Sequence, residues 1–271
     1  MSRSPSNRLP SKIGPRLSRG LVLATALMLG TGCGGPAPVD PPGSAQSTDE
    51  GDTGSGSVGD AAAPPGAVEI REIEEPIAGE NHFRLEAGPV NGRTVLLLHG
   101  GRFHSGTWRE LGTIERLASA GFRVIAVDLP GFGRSPSTAL PRGEWLARFL
   151  ESAKLERIAL LAASMSGSFA LPFLGEHPKE GDPVAAFIAV APVGIDDFAR
   201  DVKAPLPIPA WLLWGEDDRT IPLEGAKRLR GEFVEAELTV YEGASHPCYL
   251  DEPERFHEDL VRFLEGALRQ E

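Results

Sequence analysis

Positive charge is what this chain has least of. Against 38 Asp and Glu it carries 27 Lys and Arg, a formal net charge of −11 at neutral pH. Five of the basic residues and no acid fall within the first 33 positions, so the remainder sets 22 basic against 38 acidic residues, a balance of −16. Binding a phosphate backbone needs clustered Lys and Arg, and a surface of this sign excludes nucleic acid as a partner. Cysteine is nearly absent too. Cys33 and Cys248 cannot build a disulfide framework, and no C-x-x-C pair offers a metal site. A membrane-spanning run is also missing from the N-terminal region, where the apolar stretch Leu21–Leu29 is far short of the roughly 20 residues a spanning helix needs. Apolar content is ordinary, at 41% of 271 residues, enough to bury one large core.

The short apolar stretch has its own meaning. Arg3, Arg8, Lys12, Arg16 and Arg19 precede it, and Gly30-Thr31-Gly32-Cys33 follow. A charged start, a short apolar middle and a small-residue end read as an export signal over residues 1–33. A cysteine directly after small residues resembles a bacterial lipobox, although Gly30 stands where Leu is usual. The resemblance implies lipid attached to Cys33, a cell-envelope location and anchorage to a membrane, on the outer one because Gly34 rather than Asp follows. A lipidated Cys33 leaves no Cys33–Cys248 bridge. Residues 34–67, rich in Gly, Pro, Ser, Ala and Asp, lack apolar periodicity and read as a flexible tether. Some 33 residues of such chain have an end-to-end distance of about 30 Å.

The folded domain is expected over 68–271. Residues 69–75 and 82–87 read as opening antiparallel strands, and the apolar run 93–98 as a buried central strand. A helix over 113–120, a strand over 123–127, a helix over 144–153, strands over 185–190, 210–214 and 238–241, and a closing amphipathic helix over 253–269 complete the alternation. Such alternation predicts an α/β fold: a mostly parallel central sheet with helices on both faces. Only about 15 residues, 192–207, separate two of the strands where a cap would sit, so the lid is expected to be minimal.

The chemistry centres on residues 158–174. An apolar strand, Ile158-Ala-Leu-Leu-Ala162, meets Ser164 among small residues and then runs into a helix. Strand, tight turn with serine at its apex, helix: this is the nucleophile elbow of an α/β-hydrolase, here with Ala162 and Ser166 in place of the glycines of G-x-S-x-G. Ser166 also has small flanks, and Ser164 is preferred over it. A serine needs a base, and the base an orienting acid. Trp211-Leu-Leu-Trp-Gly-Glu-Asp-Asp218 is a strand opening into acids, of which Asp218 is preferred over Asp217 and Glu216; Tyr241-Glu-Gly-Ala-Ser-His246 supplies the histidine. The backbone N–H groups of Met165 and of Gly101, or alternatively Arg102, are candidates for an oxyanion hole. His99 reads as a brace beneath that loop, and His104 as a candidate for the pocket wall. His82, His177 and His257 read as surface or structural residues, and Cys248 as a buried structural thiol. The glycines of Asp128–Ser135 lack the Lys-Ser/Thr of a phosphate loop and read as a structural turn.

These stretches resemble one branch of the α/β-hydrolases, the α/β-hydrolase-domain-14 family. The resemblance is carried by LLLHGGRFHSGTW (96–108), LGTIERLASAGFRVIAVDLPGFGRS (111–135), SMSGSFALPFL (164–174) and HPCYLDEPERFH (246–257). It implies a nucleophile at Ser164, its acid at Asp218 and its histidine at His246. It also implies hydrolysis of small activated acyl esters without a cofactor. An animal branch is credited with moving acetyl groups from protein lysine to coenzyme A. An export signal and an acidic surface fit that activity poorly, and it is not carried over. Serine ester hydrolysis is therefore the expected function, with acyl transfer or a non-catalytic binding role as rivals.

Overall fold

The computed structural model describes residues 67–176 and 182–269. The expectations for Cys33 and the export signal, nearly all of the tether, and His177 lie outside the described residues. The remaining chain forms β1 (Ile70–Ile77), β2 (Glu80–Ala87), β3 (Thr94–Leu98), α1 (Ser105–Glu110), α2 (Thr113–Ser119), β4 (Arg123–Val127), α3 (Arg142–Ser152) and β5 (Ile158–Ala163). There follow α4 (Gly167–Glu176), β6 (Val184–Val190), α5 (Ile195–Asp201), β7 (Leu206–Gly215), α6 (Glu224–Arg230), β8 (Phe233–Tyr241), α7 (Cys248–Asp251) and α8 (Pro253–Ala267).

The strands form one sheet in the order β1-β2-β4-β3-β5-β6-β7-β8. β1 pairs antiparallel with β2, and β2 with β4; every later pairing is parallel. This is the α/β-hydrolase arrangement the alternation predicts. The pleat explains why the central strands are apolar throughout: Leu96, Leu98, Ile158 and Leu160 face one core, while Val95, Leu97, Ala159 and Leu161 face the other. The first core is closed by α3, α4, α5 and α6 through Trp145, Phe149, Phe169, Phe198 and Leu229. The second is closed by α1, α2, α7 and α8, where Phe256 stacks on Trp108 and Trp211 and Tyr249 packs at a tilt against Trp108 and Phe256. α8 follows from its spacing: Phe256, Leu260 and Leu264 recur every four residues on its buried face, with Pro253 at the first turn.

The short connection after β6 inserts no subdomain. It carries α5, whose Ile195 and Phe198 are buried in the first core. All the loops that bear chemistry leave the carboxyl ends of the parallel strands, so five strand ends converge on one edge of the sheet, as open α/β sheets arrange their ligand sites.

Candidate active site

β5 delivers the chain to Ser164 with φ +50°, in the left-handed region that a side chain adopts only under strain. A single 3₁₀ turn, Ser164–Ser166, then leads into α4. The loop after β6 holds the turn in place. Val193 N–H donates to the Ser164 carbonyl at 2.9 Å, and a Cβ on Gly167 would lie 2.4 Å from the Val193 carbonyl oxygen. Glycine is therefore required at 167, where the close approach occurs, while Ser166 is tolerated because its side chain turns inward. Ser166 is fully buried, and its hydroxyl is shared between the carbonyls of Ala163 at 2.9 Å and Leu98 at 3.2 Å. Ser164 instead faces a cavity.

β7 ends at Gly215, where a Cβ would lie 2.3 Å from the Ala244 carbonyl oxygen. That contact sets the acid loop against the histidine loop. Glu216 N–H donates to Tyr241, and Asp217 N–H to Ala244, across the same gap. Asp218 is buried; its Oδ1 accepts the N–H groups of Thr220 at 2.9 Å and Ile221 at 2.8 Å. Its Oδ2 lies 2.7 Å from His246 Nδ1, and His246 Nε2 lies 2.8 Å from Ser164 Oγ. A carboxylate can only accept, so Nδ1 carries the ring proton and Nε2 presents a lone pair to the serine hydroxyl. Asp217 and Glu216 are exposed, and Glu216 accepts Gly243 N–H at 3.0 Å. The histidine loop is pinned from the far side: Asp251 Oδ2 accepts both Ser245 N–H at 2.7 Å and Ser245 O–H at 2.8 Å. Asp251 was visible only as part of the HPCYLD run; nothing in its spacing announced a bond back to Ser245.

The HGG loop lies opposite. His99 is fully buried; Leu129 N–H donates to its Nε2 at 3.0 Å, so Nδ1–H donates to the Gly100 carbonyl at 2.8 Å. Burial holds its pKa below the ordinary value, which keeps the ring neutral as a brace. A Cβ on Gly101 would lie 3.4 Å from Met165 Cβ, so the two candidate oxyanion segments touch beside Ser164. Asp128 ties the turn after β4 to the start of α1, accepting Ser105 N–H at 2.6 Å and Arg134 N–H at 2.8 Å.

One histidine expectation needs correction. His104 is not on the cavity wall: it caps α1, its Nδ1 accepting Gly106 N–H at 3.1 Å. Of the two alternatives for His82, the structural one holds: β2 is covered on both faces, and the His82 ring packs on Trp145 with centroids 5.3 Å apart. His257, half-buried, meets Thr113 Oγ1 at 2.9 Å. Cys248 is buried; burial first, then the nearby Asp218 charge, push its thiol up to about 12, so it stays protonated at neutral pH.

The cavity over Ser164 and His246 measures about 610 Å³ and is walled by the Gly100–Phe103 loop, Met165, Val193, Thr220 and α7. The sequence pattern of the alpha/beta hydrolase fold matches residues 93–207. ABHD14B of Homo sapiens, named as a candidate protein-lysine deacylase, is 38% identical over 212 residues, covering 74% of this chain and 98% of that protein. This chain belongs to the ABHD14 family of α/β-hydrolases. ABHD14A of Danio rerio is 37% identical over 195 residues, 67% of this chain and 71% of that protein. Among solved structures, a chain described as a CIB-like hydrolase of Thermoplasma acidophilum superposes with a TM-score of 0.68 at 27% identity, over 73% of this chain and 99% of that one. Carboxylesterase CesB of Bacillus subtilis shares the fold, with a TM-score of 0.61 at 19% identity, over 75% of this chain and 94% of its own. The ABHD14 membership and the fold make the chain an α/β-hydrolase enzyme.

Proposed function

We propose that this chain hydrolyses small carboxylic esters or acyl groups through Ser164, His246 and Asp218. The observation that carries the reading is the continuous hydrogen-bonded path from Asp218 Oδ2 through His246 to Ser164 Oγ, opening on the cavity. Ser164 Oγ attacks the acyl carbon while its proton passes to His246 Nε2. That proton then goes to the departing alcohol oxygen as the carbon–oxygen bond breaks. Water attacks the acyl-serine, gives a proton to His246, and releases the acid as Ser164 is restored. Asp218 stabilises the imidazolium, and the Met165 and Gly101 N–H groups receive the oxyanion, a role supported by the contact of their segments beside Ser164. No cofactor enters this sequence.

A fluorophosphonate probe and a series of p-nitrophenyl esters of increasing chain length test it. Wild type should label covalently and turn over short esters. Ser164→Ala should lose labelling and about 10⁴-fold or more of kcat; labelling that persists in that variant removes Ser164 as nucleophile. A second reading, deacylation of acyl-lysine or transfer to another acceptor by the same serine, draws on the name of the ABHD14B relatives. An acetyl-lysine peptide, incubated with and without an added thiol acceptor, separates the two by which acyl product forms. We extend the proposal to location: Cys33 carries lipid and holds the enzyme in the cell envelope.

A further inference from the structure

Arg102 stands immediately after Gly101 and lines the same cavity as Ser164 and His246. It is exposed, and among the described residues it makes no ion pair and no side-chain hydrogen bond. Arg109, Arg157, Arg219 and Arg230 are equally without a carboxylate partner among the described residues, but only Arg102 lines the cavity. Among the described residues no Asp or Glu lines this cavity, so its described wall carries one permanent charge, and that charge is positive. The remaining wall is glycine, apolar side chains, hydroxyls and the His246 ring. Among these, Tyr249 is buried, with its ring 5.0 Å from Trp108, and its phenol forms no hydrogen bond within the described residues.

A chain of net charge −11 repels anions in general. An anionic substrate is admitted only where a cation meets it, and a purely neutral ester gains nothing from one. The guanidinium fork matches a carboxylate in two parallel hydrogen bonds. About 610 Å³ is room for a short substrate with its ester at Ser164 and a second polar end a few carbons away. We infer that Arg102 is a substrate-recognition residue and that the preferred substrates are esters bearing a carboxylate, such as half-esters of short dicarboxylic acids. The inference rests on the hydrolase reading above and narrows its substrate class.

The test compares full-length wild type, Arg102→Gln, Arg102→Lys and Arg102→Glu on two chain-matched esters, the p-nitrophenyl half-ester of glutaric acid and p-nitrophenyl pentanoate. The readout is the ratio of kcat/KM, anionic over neutral. In Arg102→Gln that ratio should fall about tenfold, mainly through KM, as for loss of one charge-assisted interaction at an exposed site. Arg102→Lys should be intermediate and Arg102→Glu lowest, and in wild type the ratio should decline with added salt. A ratio unchanged within twofold, or one altered only because both esters lose activity in parallel, overturns the assignment. Calorimetric titration with glutarate judges Arg102 separately from catalysis. If wild type turns over neither ester, the hydrolase reading fails; glutarate binding weakened in Arg102→Gln then sustains the recognition role, and equal or absent binding in both proteins ends it.

Discussion

Every acceptor position that Asp218 uses is committed. One oxygen takes two backbone N–H groups, and the other takes the histidine. Asp218→Asn is therefore not a mild change. The amide oxygen must stay with the Thr220 and Ile221 N–H groups, which turns the amide NH₂ toward His246 Nδ1. Nδ1 then becomes the acceptor, the ring proton moves to Nε2, and Nε2 donates to Ser164 where it should accept. Steady-state kinetics should show kcat reduced about 10⁴-fold, with the melting temperature little changed because the loop keeps its backbone bonds. The sequence narrowed this acid to three adjacent candidates, and the spacing from Gly215 favoured Asp218. Side-chain direction and burial favour the same residue, and spacing encodes neither. The serines behave likewise: Ser164 and Ser166 have similar small flanks, and neither the inward hydrogen bonds of Ser166 nor the left-handed backbone and His246 contact of Ser164 can be read from those flanks.

Among the elements, β2 carries the least typical burial. Arg84 and Glu86 are buried within it, Arg84 bridging Glu75 at 3.1 Å and Glu86 at 2.6 Å, while Arg123 of β4 meets Glu86 at 3.0 Å. Burial alone would raise the Glu86 pKa; Arg123, Arg84 and Arg71 together outweigh it and hold the carboxyl below its ordinary value of 4.5. A lowered folded-state pKa stabilises the fold above the unfolded value and loses that contribution as pH falls through the folded one. Glu86→Gln should cost about 3 kcal/mol at pH 7 by stranding its arginines. In urea melts the gap to wild type should be full above about pH 4.5 and shrink below it. β3, β4 and β5 were legible because short, nearly unbroken apolar runs bounded by turn residues suit strands buried on both faces. α1 was not: its six residues have no periodicity, and its first turn is held by Asp128, which lies 23 residues away in sequence. For His82 the sequence leaves a structural and a solvated role open for a related reason, since nothing local reveals that Trp145 of α3 covers it.

For the whole molecule, no helix among the described residues is long and apolar enough to cross a membrane; the attachment proposed is through lipid on Cys33. Cells of a lipoprotein-making host fed labelled palmitate should incorporate it into the wild-type chain and not into Cys33→Ser, and fractionation should move the variant from membrane to soluble extract. One consequence of the elbow also acts at this scale. The left-handed backbone at Ser164 costs on the order of 1–2 kcal/mol that glycine would not incur. Ser164→Gly should melt about 2 °C higher while losing turnover, the relief exceeding the loss of one half-buried hydrogen bond. A library selected for heat resistance alone would then enrich glycine at 164, and one required to stay active would not. The position where those two selections part company marks the nucleophile before any natural substrate is known.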